Sequence, residues 1–164
     1  MNKHSGFTVD TEVWHSAGFY RNFKDILNKR DCFMTDSFNE KSAGFIVNKA
    51  SANKVAENCE IIEVTFGPSI NLGKEKVVTV KCTPEQEFLT CYENNGTLHY
   101  KGNETFFWIK AKDLKEGRRL VAEDANIVVK SVRHLEEKVD IYSVKIDGSE
   151  KNYSIRLGVI VKGE

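Results

Sequence analysis

Short apolar runs separated by glycine-bearing polar turns recur along this chain. In several of them hydrophobic and polar positions alternate. Val78, Val80 and Cys82 share one side of their run, and Ile141, Ser143 and Lys145 oppose Tyr142, Val144 and Ile146. A period of two is that of a strand whose faces differ. The runs TEVWH, GFIVN, EIIEVTF, EKVVTVKC, EFLTCY, TFFWIKA, ANIVVKSVRHL, DIYSVKI and NYSIRLGVIVK are rich in β-branched and aromatic residues. Glycines such as Gly18, Gly44, Gly67, Gly117, Gly148 and Gly158 stand between or within them. The pattern predicts an all-β fold of many short antiparallel strands joined as hairpins. Helical periodicity is local, over residues 20–28 and 111–116. No repeat, low-complexity tract or linker divides the chain, so one folding unit is expected.

Composition narrows the partners. The 164 residues carry 24 Lys plus Arg and 24 Asp plus Glu. A balance of zero offers no net field to draw in nucleic acid or an anionic membrane. No apolar stretch approaches the ~20 residues that span a bilayer. MNKHSGF has no apolar signal-like core, which makes the cytoplasm the expected location and a monomer the expected state. The cysteines, Cys32, Cys59, Cys82 and Cys91, show no CxxC spacing and no histidine at a zinc-ligand interval. They read as reduced core thiols, with no metal and no cofactor expected.

Three segments carry more specific information. The first is GFTVDTEVWHSAGFYRNFKDI, residues 6–26. The second is VKCTPEQEFLT, followed after an interval by FFWIKAKDLKEGRRLV. The third is VDIYSVKIDGSEKNYSIRLGVIVKGE. In order and spacing they resemble the motifs of the Hint fold, shared by inteins and hedgehog-type autoprocessing domains. Phe7, Asp10, Thr11, Val13 and Gly18 match the first intein motif. Thr83, Phe88, Leu89, Thr90, Trp108, Ala111, Leu114 and Gly117 match the second. Tyr142, Val144, Ile146, Asn152, Tyr153, Gly158 and Val159 to Val161 match the third. The resemblance implies a horseshoe-shaped β domain over residues 6–163, of mini-intein size and without a homing endonuclease. Residues 1–5 would be an N-terminal stub, flanking or native, and Glu164 a C-terminal flanking residue. It also implies that Gly6 and Gly163 meet beside Thr83, with flanking polypeptide of the chain's own precursor or host as the partner.

The same resemblance makes the chemistry checkable. Splicing requires a nucleophile at the first intein position, best supplied by a thiol. Gly6 stands there. The Thr-x-x-His pair polarises the scissile amide and gives a proton to the leaving nitrogen. Thr83 is kept, whereas Gln86 occupies the histidine position and cannot titrate. Lys151 stands where the third motif has its histidine, Lys162 is penultimate, and Gly163 replaces the asparagine whose amide cyclises. A splicing-inactive autoprocessing domain is therefore expected, the alternative being a domesticated structural or protein-interaction module on the same fold. If only the reacting groups were lost, Gly6→Cys with Gln86→His would restore attack at the Ser5 carbonyl.

Substitutes for these groups are weak. Ser5 has no neighbouring base to activate it. Cys82 adjoins Thr83 on a strand and should face the other way. His4, His15, His99 and His134 are scattered. Phe106, Phe107 and Trp108 fit a core better than a base-stacking platform in a chain without net charge. KDLKEGRR is interrupted by Asp113 and Glu116 and reads as a solvated turn.

Overall fold

A computed structural model describes residues 4–29, 32–69, 77–91, 106–123 and 126–164. Its elements are β1 (Glu12–His15), β2 (Phe19–Asn22), α1 (Phe23–Lys29), β3 (Phe33–Asn39), β4 (Gly44–Pro68), β5 (Val78–Cys82), β6 (Glu87–Cys91), β7 (Phe106–Lys110), β8 (Arg119–Leu120), β9 (Ile127–Asp147), β10 (Asn152–Ser154) and β11 (Ile160–Lys162). Single turns of 3-10 helix lie at Ala111–Asp113 and Arg156–Gly158. The all-β class is the one the alternation predicts. Both local helical signals are realised, as α1 and as the first 3-10 turn.

Two elements are far longer than the runs that announce them. GFIVN and EIIEVTF are the two ends of β4, 25 residues long. ANIVVKSVRHL and DIYSVKI are the two ends of β9, 21 residues long. These strands pair antiparallel from Lys49↔Asp147 to Pro68↔Ile127, with register shifts near Ala56, Cys59, Ile62 and Phe66. Their middles are polar and largely exposed, which breaks the hydrophobic pattern. The backbone ladder needs only a partner strand, and each middle supplies the other's. The bulges bend the ribbon, as an unpaired extra residue does.

β3 was not among the predicted strands, because FMTDSFN is punctuated by polar residues. Two of these are buried and bonded: Thr35 Oγ1 donates to Trp14 O at 2.8 Å and Ser37 Oγ to Asn152 O at 2.6 Å. NYSIRLGVIVK breaks into β10 and β11 around Leu157 and Gly158, both at positive φ (63° and 72°). A Cβ on Gly158 would lie 2.6 Å from Glu123 Cβ, so only glycine fits there.

The main sheet runs β10-β11-β6-β8-β9-β4-β3, with β5 on β4 and β7 on β6. Its two outermost strands, β10 and β3, face each other. Asn152 joins them: its Oδ1 accepts the Phe38 N–H at 2.7 Å and its Nδ2 donates to Phe38 O at 3.1 Å. One buried amide thus acts as the missing rung that nearly closes the sheet. The core inside includes Phe7, Phe23, Phe66, Phe88, Leu120 and Tyr153. Three cysteines are buried as expected. Cys32 is not a core thiol; it is exposed just before β3.

His15 is a buried member of a ring stack, between Phe19 (4.9 Å) and Phe33 (4.3 Å). Its Nε2 has no hydrogen-bond partner among the described residues. Burial first, then the Arg21 guanidinium, pulls its pKa from 6.5 to about 4. The unfolded chain therefore takes up this proton first. The contribution of His15 to stability is full above pH 6.5, falls as the pH drops from about 6.5 to about 4, and then levels. The loss should reach about 2 kcal/mol near pH 4.5. Urea unfolding of wild type and His15→Phe at pH 7 and 4.5 checks it: the phenyl ring keeps the stack and should remove most of the difference. Equal pH sensitivity of the two proteins would refute the assignment.

Candidate functional site

The turn between β5 and β6 holds the centre of the site. Thr83 to Gln86 form a tight turn, with Gln86 N–H donating to Thr83 O at 3.1 Å. Thr83 and Gln86 are both buried. On one side the Gly6 N–H donates to Thr83 Oγ1 at 3.3 Å, and the Thr83 N–H donates to Gly6 O at 3.0 Å. On the other side Gln86 Nε2 donates to Lys162 O, and to Glu87 O, both at 3.0 Å. The Lys162 carbonyl belongs to the peptide bond that precedes Gly163. One turn therefore touches the backbone at residue 6 through Thr83 and the backbone before residue 163 through Gln86.

β9 holds both segments. Phe7 exchanges two hydrogen bonds with Tyr142, each 2.8 Å. Two residues along, the Glu164 N–H donates to Val144 O and the Ile146 N–H donates to Glu164 O, each 2.9 Å. The Gly163 N–H donates to Lys151 O at 2.9 Å. Successive like-facing positions of a strand thus receive the two chain segments side by side.

Both glycines are packed against carbonyl oxygens. A Cβ on Gly6 would stand 2.7 Å from Tyr142 O and 3.2 Å from the Ile141 side chain. A Cβ on Gly163 would stand 2.5 Å from Val144 O and 3.0 Å from the Tyr153 ring. These oxygens are backbone acceptors already engaged with Phe7 and Glu164. Glycine here is what lets another backbone approach so closely.

The predicted residues thus fall into two groups. Gly6, Thr83, Gln86, Lys162 and Gly163 are gathered at one place. Lys151 joins through its backbone carbonyl only: it sits at positive φ (52°), and its ammonium turns back to Ile146 O at 3.0 Å. The Lys162 ammonium leaves the site to lie over the Trp108 ring, 4.6 Å from its centre. Cys82 faces the core, fully buried, and burial pushes its thiol pKa far up. It is no stand-in nucleophile. Ser5 Oγ donates to Glu85 O at 3.2 Å.

Three contributors escape sequence reasoning. The Tyr142 and Val144 carbonyls are backbone atoms and leave no residue-type signal. Glu85 is the third: its carboxylate pairs with Lys110 at 2.7 Å and Lys112 at 2.9 Å, which hold its pKa down to about 2. This fork ties the turn to the end of β7. What the site offers chemically is the Thr83 and Ser5 hydroxyls, the Gln86 amide, the ion-paired Glu85 carboxylate and a set of backbone groups. Among the described residues no group of three or more His, Cys, Asp or Glu could hold a metal ion.

An all-β sheet nearly closed on itself is the fold of solved inteins. The chain is similar to a DnaB intein from Synechocystis sp. PCC 6803, with a TM-score of 0.70 and 16% identity over 98% of this chain and 99% of that one. It is equally similar to the PabCDC21-1 intein, with a TM-score of 0.71 and 16% identity over the whole of both chains. The TvoVMA intein follows with a TM-score of 0.65 and 17% identity, covering 96% of each. No protein-family profile and no curated protein matches the chain. The shared property is the fold, spread over the full length of mini-intein-sized relatives.

Proposed function

We propose that this chain is an intein-type Hint domain that no longer splices and has been kept as a structural or protein-interaction module. The observation that carries the reading is the pair of glycines at positions 6 and 163. Removal of a nucleophile and a cyclising amide from a working site would leave room for them. Here carbonyl oxygens of Tyr142 and Val144 fill that room. Gln86 adds to this. Its amide does not titrate near neutrality, and its N–H groups are taken by the Lys162 and Glu87 carbonyls.

What remains can bind but not react. Thr83 accepts the Gly6 N–H, and the flanking polypeptide of a host or precursor is the natural partner of residues on either side of the domain. The test is a reporter precursor: one protein fused before Met1, another after Glu164, incubated with and without added thiol and followed by mass spectrometry. The precursor is expected to stay intact in both arms. Ligated or released reporter would overturn the proposal in favour of an active autoprocessing domain.

A further inference from the structure

The β1–β2 hairpin, α1 and the start of β3 enclose a half-open hollow of about 490 Å³. Its floor is the ring stack Phe19–His15–Phe33, and Ile26, Met34 and Val47 line it further. Phe19, Met34 and Val47 are 42%, 46% and 55% exposed, high for apolar side chains of a folded domain. Arg21 and Lys29 also line this hollow, and among the described residues no Asp or Glu does. Cys32 sits on the boundary with a second hollow of about 360 Å³, lined by Lys49, Lys145, Lys151 and a single acid, Asp147.

The chain as a whole carries no net charge, so this clustering is a local choice. Elsewhere on the surface Lys54, Lys81, Lys110, Lys112, Arg133 and Arg156 each meet a carboxylate. Arg21, Lys29, Lys49 and Lys145 meet none among the described residues. Arg21 instead lies over the Phe19 ring, 5.1 Å from its centre, and both line the hollow. Apolar and aromatic walls with a few cations at the rim are the composition of a small-molecule site, and the volume lies in the range of such sites, roughly 300–1,000 Å³.

We propose that this hollow binds a small organic anion with a flat apolar body, such as an aromatic carboxylate. The ring system would lie against Phe19, Met34 and Val47, burying apolar surface left open in the free protein. The carboxylate would face Arg21 and Lys29, and a bidentate contact suits the guanidinium plane. The proposal is independent of the splicing site and of the reading given above.

The probe is 2-naphthoate, with 2-naphthalenemethanol as its uncharged counterpart, titrated into the full chain and followed by amide NMR shifts. Naphthoate should bind at least about tenfold more tightly than the alcohol, the amides that move being those of Ala17, Phe19, Cys32 and Met34. Arg21→Gln with Lys29→Gln should erase that preference while leaving the alcohol's affinity unchanged. Both side chains are on the surface, so the variant is expected to fold, and its amide spectrum reports on that directly. The proposal fails if alcohol and naphthoate bind alike, if the charge variant keeps the preference, or if the shifts scatter over the surface.

Discussion

Gly6→Cys with Gln86→His and Gly163→Asn is expected to yield a destabilised protein that still cleaves nothing. The triple change supplies thiol, imidazole and amide at the positions where the intein motifs have them. From the motifs alone, the first two changes would suffice for thiol-dependent release at residue 5. The packing reverses that expectation. The new Cβ atoms would fall 2.7 Å from Tyr142 O and 2.5 Å from Val144 O, well inside van der Waals contact. To accommodate them β9 must release the Phe7 and Glu164 ladders, which are the bonds that bring the two segments together. Overpacking at one such site costs about 1–3 kcal/mol. Gly6→Ala and Gly163→Ala, which add the Cβ and nothing else, should therefore each lower stability by about 2 kcal/mol or more in urea unfolding. At this chain length the melting temperature should fall by roughly 2–4 °C per kcal/mol. Release of an N-terminal reporter by a folded triple variant, or alanine variants as stable as wild type, would show that the glycines are incidental.

Replacing Asn152 by leucine should cost more than any other single change considered, about 4 kcal/mol. The side chain is buried, and its amide satisfies both the N–H and the C=O of Phe38. Leucine has similar bulk and no polar group, so it removes both of these buried hydrogen bonds, at about 1–3 kcal/mol each. The Ser37 and Ser154 hydroxyls also bridge these strands, donating to Asn152 O and Asp36 O. Hydrogen exchange localises the effect: the Phe38 amide should lose its protection in the variant. A variant that unfolds at the wild-type urea concentration, with Phe38 still protected, would contradict the role given to Asn152.

How much of this was readable beforehand differs between fold and site. The alternation around Val78–Cys82 and Tyr142–Ile146 announces strands because side-chain period is a local property. The polar middles of β4 and β9 do not announce themselves, because their pairing is satisfied by a partner some 80 residues away. β3 is hidden for a related reason: Thr35 and Ser37 look like loop residues until Trp14 and Asn152 are placed beside them. The site positions were legible only by resemblance to a motif set, and that resemblance leaves open whether a glycine is a deletion or a requirement.

The sequence by itself determined the strand-forming runs, the absence of a thiol, imidazole or terminal amide at positions 6, 86 and 163, and the overall charge balance. These are properties of residue type and order, fixed before any folding. Tertiary structure alone decided that Gly6 and Gly163 lie two residues apart along β9, that Asn152 serves as a rung of the sheet, and that Arg21 and Lys29 line an open aromatic hollow. Each depends on distances between residues far apart in the chain. The first two run at least in part through backbone carbonyls and N–H groups, which every residue type carries alike, so no pattern of side chains can encode them locally.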